Sequence, residues 1–243
     1  MKTNTVLLDA GGVILDESED EKARAKVAVE VLSGVVPGYS AEMLYRDLDE
    51  AIEGFCSRVL AYAIWKHTRP DRVLYENLYQ DFRSRWRSKR PPLRIMPGFR
   101  EEAGAIARDF HIGIAGQYGG ELLQLLKDES LIDLFTYRFT QDDFDITKPD
   151  PRYLERIAAA CGVAPGECVM VGDRIDNDII PARHLGMKTV LVRVGLHRKQ
   201  QPRIPFEIPD AEIEGIKGLA DAVLEVSRSG PGNTSGYSLR MTT

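Results

Sequence analysis

Cysteine and histidine are both scarce in this chain. Its 243 residues include four histidines and three cysteines, Cys56, Cys161 and Cys168. An odd number of cysteines with no C-x-x-C spacing argues against a disulfide framework and against a zinc site. Because Cys161 and Cys168 lie among apolar residues, we expect both to be buried thiols of the core.

The chain also lacks long apolar runs and a large charge of one sign. No apolar segment approaches the roughly 18 residues of a membrane span, and the apolar part of the N-terminus is too short for a signal peptide. The net charge is −5 and the isoelectric point about 5.5, so electrostatics favours neither a nucleic-acid nor a membrane partner. We expect a cytoplasmic protein that binds neither.

Short apolar runs alternate with helical segments over the second part of the chain. After a first strand near residues 5–8, the predicted strands from residue 97 onward are HIGIAG, FTYRFT, ECVMVG and KTVLVRV. The segments between them have helical periodicity, and a last helix is predicted over 218–227. This βαβ pattern with near-continuous apolar strands predicts an α/β fold, a parallel sheet covered by helices on both faces.

Residues 17–92 differ, because they show helical periodicity and no strand-like alternation. Helices are predicted from Ser18, after the VPGYS break, and over 71–88, where Pro91 and Pro92 end the last one. We therefore predict a sheet domain of residues 1–16 and 93–228, an inserted all-helical domain of residues 17–92, and a mobile tail, 229–243. An insertion at this place lies over the carboxyl ends of the strands, where open α/β sheets bind ligands.

Acidic residues follow two of the predicted strands. Asp9 follows the first, Asp173 follows ECVMVG, and Asp176 and Asp178 come shortly after. Carboxylates that converge at one edge of a sheet repel one another unless a cation is bound, and Mg²⁺ is the cation that carboxylate oxygens suit. Taken singly, Asp173 is equally consistent with a helix N-cap, and the later acids with an acid-rich first helical turn.

Lys148 lies in the segment ITKPDPRYLERI. Pro149 and Pro151 restrict the backbone around it and open the following helix. A lysine held at the same sheet edge would neutralise an anionic substrate or hold the carboxylates together, whereas an isolated Lys-Pro pair is typical of a solvated loop.

The order of these segments is more specific than any one of them. Asp9 after a strand, then KPDP at 148–151, then GDRIDNDI at 172–179 resembles the haloacid dehalogenase-like (HAD) hydrolase superfamily. The resemblance covers the predicted sheet domain. It implies a Rossmann-like core, and the helical insertion matches the position of the cap domain common in that family.

The resemblance also implies Mg²⁺-dependent phosphoryl transfer from a small phosphate ester. Asp9 matches the nucleophile that becomes an aspartyl phosphate, and Lys148 matches the lysine that stabilises the nucleophile and the transferring charge. Asp173 matches the principal Mg²⁺ ligand, and Asp178 matches a second acid that is a ligand or supports one. The carbonyl of Gly11 matches a backbone ligand.

Two positions depart from the family pattern. Phosphatases of the family usually carry a second Asp two residues after the nucleophile, which protonates the leaving oxygen and then activates water; here that residue is Gly11. The family also places Ser or Thr in the phosphate-binding loop, where this chain offers Ala115, Gly116 and Gln117. Backbone N–H groups of this glycine-rich loop are still able to hold an anion.

These departures leave more than one function open. The leading prediction is a Mg²⁺-dependent phosphatase that acts through an aspartyl phosphate on Asp9, slowed by the missing acid. One alternative is an inactive HAD-fold protein that binds a ligand or partner. A 2-haloacid dehalogenase is the other, and the acid cluster around Asp173 argues against it because that branch of the family does not depend on Mg²⁺.

Two weaker signals concern His197 and a basic run. His197 follows the last predicted strand and is a candidate substitute for the missing acid-base group. The segment Arg83–Arg94 is rich in arginine, which is typical of a solvated helix face. The alternative is that Arg85, Arg87 and Arg90 face the cleft and recognise an anionic substrate.

Overall fold

A computed structural model of the chain describes residues 3–229. Its strands are β1 (Thr5–Leu8), β2 (His111–Ile114), β3 (Cys168–Gly172), β4 (Lys188–Arg193) and β5 (Ala211–Glu214). All neighbouring strands pair in parallel, and they form one sheet in the order β2-β1-β3-β4-β5. The first strand of the chain is therefore next to the centre of the sheet, between β2 and β3.

The helices form two groups, one in the segment that directly follows β1 and one in the rest of the chain. Those of the first group are α1 (Ser18–Leu32), α2 (Ala41–Glu53), α3 (Val59–Thr68) and α4 (Arg72–Lys89). Those of the second group are α5 (Phe99–Ile106), α6 (Gly120–Asp128), α7 (Pro151–Ala160), α8 (Ile180–His184) and α9 (Leu219–Arg228).

Helices cover both faces of the sheet, as predicted. Side chains of a strand alternate between faces, and Val6 and Leu8 of β1 belong to an apolar cluster with α5, α6 and α9. Leu7 points the other way and packs with Met170 against α7 and α8. Burial on both sides explains why the strands are nearly continuous apolar runs.

Helices α1 to α4 share an apolar cluster of their own. Val27, Leu32, Leu48 and Ile64 are among its buried members. The helix starts follow local signals, since the Ser40 hydroxyl accepts the Met43 N–H at 3.3 Å and begins α2. The boundaries of the inserted domain, residues 17 and 92, remain a prediction.

Two short backbone contacts join the ends of this helical segment to each other. The N–H of Asp16 donates to the carbonyl of Arg94 at 2.9 Å, and the N–H of Met96 donates to the carbonyl of Ile14 at 2.8 Å. The chain thus leaves and re-enters the sheet region side by side, immediately after the turn that follows β1.

The structure corrects two details of the strand prediction. FTYRFT is not a strand, because only Tyr137 of it forms a bridge, to Gly113 of β2. Strand β5 was missed, since its four residues, AEIE, are half exposed at the sheet edge and lack an apolar run. The tail predicted over 229–243 lies outside the described residues except for Ser229.

The expectation that Cys161 and Cys168 are buried thiols is confirmed. Cys161 and Cys168 are free and buried, and burial raises the pKa of Cys161 to about 11 and that of Cys168 to about 12. Over residues 3–229, no helix has the length and apolarity that crossing a membrane requires.

Candidate active site

Asp9 and Asp173 follow neighbouring parallel strands. Leu8, the last residue of β1, is in register with Val171 of β3, and the N–H of Asp9 donates to the carbonyl of Val171 at 2.9 Å. Because both strands run in the same direction, the acids that follow them emerge at the same edge of the sheet.

Asp178 joins this pair from the turn that follows Asp173. Residues Ile175–Ile179 form one turn of π-helix, a local widening that is frequent at functional sites. The Asp178 carboxylate folds back under Gly172, where a Cβ atom would overlap with it, and it accepts the N–H of Arg174 at 3.1 Å. Oxygens of Asp9, Asp173 and Asp178 all lie within 4.8 Å of one another.

Asp176 does not belong to this group of three. Its carboxylate accepts hydrogen bonds from Arg174 Nη2 at 2.5 Å and from Gln200 Nε2 at 2.9 Å. The sequence left open whether three or four of these acids converge, and the π-helical turn sends Asp176 and Asp178 in different directions.

Lys148 lies inside the carboxylate cluster and is not a solvated loop lysine. Its Nζ donates to Asp9 Oδ1 at 2.6 Å and to Asp178 Oδ1 at 2.5 Å. Only 5% of the residue is exposed. A buried ammonium group between two carboxylates offsets part of their mutual repulsion.

The proximity of these charges is reflected in their pKa values. Desolvation, together with the charges of Asp178 and Asp9, raises the pKa of Asp173 well above its usual value. Desolvation raises the pKa of Asp178 to about 6 against the opposing effect of Lys148. Burial alone would lower the pKa of Lys148, but Asp178 and Asp9 outweigh it and raise that pKa.

The donor set fits a hard divalent cation. Asp9 Oδ2 and both Asp173 oxygens accept no hydrogen bond from residues 3–229, while both Asp178 oxygens are engaged. Mg²⁺ prefers carboxylate oxygens as ligands. Asp9 and Asp173 lie close to each other, and those of their oxygens that accept no hydrogen bond from the described residues are available to a cation. Gly12 allows this approach, because its φ is +70° and a Cβ atom would lie 2.8 Å from Asp173 Cγ.

The loop after β2 begins beside Asp9. Ala115 packs into the apolar cluster of Leu7, and Gly116 lies so close to Ala10 that a Cβ atom would come within 2.6 Å of the Ala10 backbone nitrogen. Gln117 Nε2 is buried, and no described residue is its hydrogen-bond partner. The loop therefore offers an unused amide donor where the hydroxyl of the family pattern is absent.

A pocket of about 290 Å³ opens beside Asp173. Gly12, Asp173, Glu17, Arg193 and Arg198 are among the residues that line it. The sequence analysis singled out neither these arginines nor Glu17. The only signal was the acid-rich segment DESED at 16–20, which also suits an ordinary first helical turn.

Glu17 occupies the space beside Gly11. A Cβ atom built on Gly11 would lie 2.9 Å from Glu17 Cδ and closer still to its Oε2. Glu17 Oε1 accepts hydrogen bonds from the Tyr118 hydroxyl at 2.7 Å and from Arg24 Nη2 at 3.3 Å. A carboxylate thus stands where the second acid of the family pattern would extend.

The two weaker signals have different outcomes. His197 is buried, and desolvation, with the charge of Arg174, lowers its pKa to about 3. Such a pKa does not suit an acid-base group near neutral pH.

In the basic run, Arg85 and Arg87 are exposed, and Arg85 pairs with Asp81. Arg90 lies with its guanidinium 5.9 Å from the Tyr118 ring centroid.

The fold and the cluster of Asp9, Asp173 and Asp178 define the class of protein. It is an α/β protein with an acidic site at the C-terminal ends of the strands of a parallel sheet. The HAD-hydrolase-like family profile matches residues 146–218. Glyceraldehyde 3-phosphate phosphatase of Methanopyrus kandleri is 27% identical over 92% of this chain and 98% of its own length.

Solved structures share the fold. A protein described as a predicted phosphoglycolate phosphatase from Haemophilus somnus has a TM-score of 0.66 at 16% identity, over 92% of this chain and 99% of its own. A HAD-hydrolase from Bacillus subtilis, solved with bound magnesium, has a TM-score of 0.62 at 17% identity, with the same coverage.

The match to the HAD-hydrolase-like family over residues 146–218 and the curated relatives named phosphatases support an enzyme, a phosphatase-type hydrolase. The predictions of the family, the fold class and the enzyme are confirmed at this level.

Proposed function

We propose that this protein hydrolyses a small phosphate ester in a Mg²⁺-dependent reaction with an aspartyl phosphate on Asp9 as intermediate. The observation that carries the proposal is the buried group of Asp9, Asp173 and Asp178 around Lys148. Such a concentration of negative charge at a sheet edge has a direct use in holding a cation and a phosphoryl group.

Each residue has a role that follows from its contacts. Asp9 presents a carboxylate oxygen for attack on phosphorus. Lys148 holds Asp9 in place and neutralises charge on the transferring group. Asp173 and Asp9, with the carbonyl of Gly11, would hold Mg²⁺, while Asp178 anchors Lys148 and faces the same position. Mg²⁺, when bound, would neutralise the phosphoryl oxygens.

The loop of Ala115, Gly116 and Gln117 is the proposed phosphate cradle. Its backbone N–H groups and the buried Gln117 amide would donate to phosphate oxygens. Lys148, which contacts Asp9, adds positive charge. Arg198, which is exposed at the rim of the pocket, would attract an anionic substrate.

The substrate is proposed to be a small phosphorylated metabolite. The pocket volume of about 290 Å³ suits a molecule of that size. Glyceraldehyde 3-phosphate is the first compound to test, because the Methanopyrus kandleri relative is named for it. Helices α1 to α4, within the proposed cap of residues 17–92, would set specificity, and the cytoplasmic location stays a prediction.

A second candidate is a non-catalytic protein that binds a phosphorylated ligand. The absence of a side chain at Gly11 and of a hydroxyl in the loop at 115–117 favours it. Such a protein would keep the cation and phosphate sites without releasing inorganic phosphate.

Release of phosphate separates the two candidates. Wild type and Asp9→Asn would be assayed with p-nitrophenyl phosphate and glyceraldehyde 3-phosphate, each with Mg²⁺ and with EDTA. We expect phosphate release only from wild type with Mg²⁺. Equal background from both proteins, together with Mg²⁺-dependent phosphate binding by wild type, would support the binding protein instead. Mg²⁺-independent release of chloride from 2-chloropropionate would indicate a dehalogenase.

A further inference from the structure

The carboxylate of Glu17 lies in the volume that a side chain at position 11 would fill. Gly11 is two residues after Asp9, and a Cβ atom placed on it would come within 2.9 Å of Glu17 Cδ. Glu17 reaches this place from the residue that precedes α1, so it is close to Gly11 in space although it is six positions later in the chain.

The two oxygens of Glu17 have different surroundings. Oε1 accepts the Tyr118 hydroxyl at 2.7 Å and Arg24 Nη2 at 3.3 Å, and these contacts hold the carboxyl group in one orientation. Oε2 is the atom nearest to Gly11, and it accepts no hydrogen bond from residues 3–229. Glu17 also lines the pocket that Asp173 lines, and its charge contributes to the raised pKa of Asp173.

We propose that Glu17 is the general acid and base of this enzyme, taking the role that the residue at position 11 cannot perform. The inference rests on the proposed phosphatase function. A carboxylate that is oriented through one oxygen, with the other beside Gly11 in the pocket that Asp173 lines, is suited to proton transfer.

The proton and bond changes balance over two steps. In the first, an Asp9 oxygen bonds to phosphorus, the bond from phosphorus to the ester oxygen breaks, and the departing oxygen takes the proton of the Glu17 carboxyl. In the second, water attacks the aspartyl phosphate and gives a proton to the Glu17 carboxylate. The phosphorus–Asp9 bond breaks, inorganic phosphate leaves, and both side chains return to their starting states.

Other acids line the pocket, but the three atoms nearest to a Cβ atom on Gly11 all belong to Glu17. Asp16 Oδ1 accepts the N–H of Ser18 at 2.9 Å, and Glu21 Oε1 accepts the N–H of Leu196 at 3.0 Å. His197 is neutral at physiological pH because its pKa is lowered to about 3. Glu17 is therefore the group with an available oxygen beside Gly11.

The first test compares leaving groups. Glu17→Gln keeps the shape of the side chain but has no proton to donate, so kcat/KM for an alkyl phosphate, which reports the step in which the leaving group departs, should fall by roughly 10²–10⁴. The loss should be much smaller for p-nitrophenyl phosphate, because its leaving group needs little protonation. Glu19→Gln is the matched control, since Glu19 is exposed and pairs with Lys22.

The second test is the intermediate. Because Glu17 also activates water, Glu17→Gln should accumulate acid-stable phosphate on Asp9 during turnover of p-nitrophenyl phosphate, as a burst of about one nitrophenol per enzyme. A purely structural role for Glu17 predicts an equal loss with both substrates and no burst.

The third test moves the carboxylate. Glu17→Ala opens the space beside Gly11, so Gly11→Asp in the same chain should recover about tenfold or more of the activity lost on alkyl phosphates. Glu17→Ala with Gly11→Asn should not.

These outcomes separate the inference from the function on which it rests. If Asp9→Asn is inactive while Glu17→Gln retains wild-type kcat/KM on alkyl phosphates, the role of Glu17 is wrong and the phosphatase stands. If wild type releases no phosphate, both are wrong.

Discussion

Lys148 Nζ lies 2.6 Å from Asp9 Oδ1, in a place where only 5% of the lysine is exposed. This contact joins the segment after β1 to a loop that is 139 positions later in the chain. The lysine also reaches Asp178 at 2.5 Å, so a single ammonium group holds two sides of the site together.

Lys148→Met should therefore destabilise the protein as well as inactivate it. The change leaves buried carboxylates without their partner, which typically costs about 3–5 kcal/mol. Urea unfolding in EDTA measures the loss. Lys127→Met is the control, because Lys127 is exposed on α6 and its change should stay within about 0.5 kcal/mol. Similar stability of the two variants would contradict a structural role for Lys148.

Gly12→Ala should impair Mg²⁺ binding beyond its effect on stability. Gly12 has φ +70°, and a Cβ atom would lie 2.8 Å from Asp173 Cγ, so alanine strains the backbone and displaces the acid. Gly162→Ala is the matched control, because Gly162 has φ +73° with nothing within 4 Å of a Cβ atom. Both changes should cost about 1–2 kcal/mol in backbone strain, but only the first should weaken Mg²⁺ binding in calorimetric titrations.

Asp173→Asn should weaken Mg²⁺ binding by about tenfold or more, because it removes the charge of a carboxylate that faces Asp9 and accepts no hydrogen bond from the described residues. Titration calorimetry without substrate measures this directly. Asp49→Asn, a change on the exposed face of α2, is the control. Unchanged affinity in Asp173→Asn would place the cation elsewhere.

His197 should make the protein less stable as pH falls below about 6.5. Its pKa is lowered to about 3 by desolvation and by Arg174, against the opposing effect of Asp176. Between these two pH values the unfolded chain binds a proton that the folded chain does not, so stability decreases by up to about 1.4 kcal/mol per pH unit.

Replacing His197 tests whether this histidine causes the loss of stability at low pH. Below pH 6, His197→Gln should lose less stability per pH unit than wild type in urea unfolding. The same change at the exposed His111 should leave the slope as it is in wild type. Parallel curves for wild type and His197→Gln would show that the histidine is protonated in the folded protein.

Much of the fold could be predicted from local patterns. Strands such as Cys168–Gly172 are buried on both faces, so they appear in the sequence as apolar runs, and helices such as Pro151–Ala160 carry a proline and a capping acid at their start. Strand β5 and the bridge at Tyr137 could not be predicted in this way. At the edge of a sheet few side chains are buried, so the apolar signal is weak.

The sequence by itself determined that acids follow β1 and β3, and parallel strands necessarily bring such residues to one edge of a sheet. Only the tertiary structure decided which side chains meet there. Asp178 turns toward Lys148 while Asp176 turns to Arg174, because one π-helical turn separates their directions. The tertiary structure also decided what lies beside Gly11. The missing side chain leaves room for the Glu17 carboxylate. This contact depends on how the two segments pack and not on their spacing in the sequence.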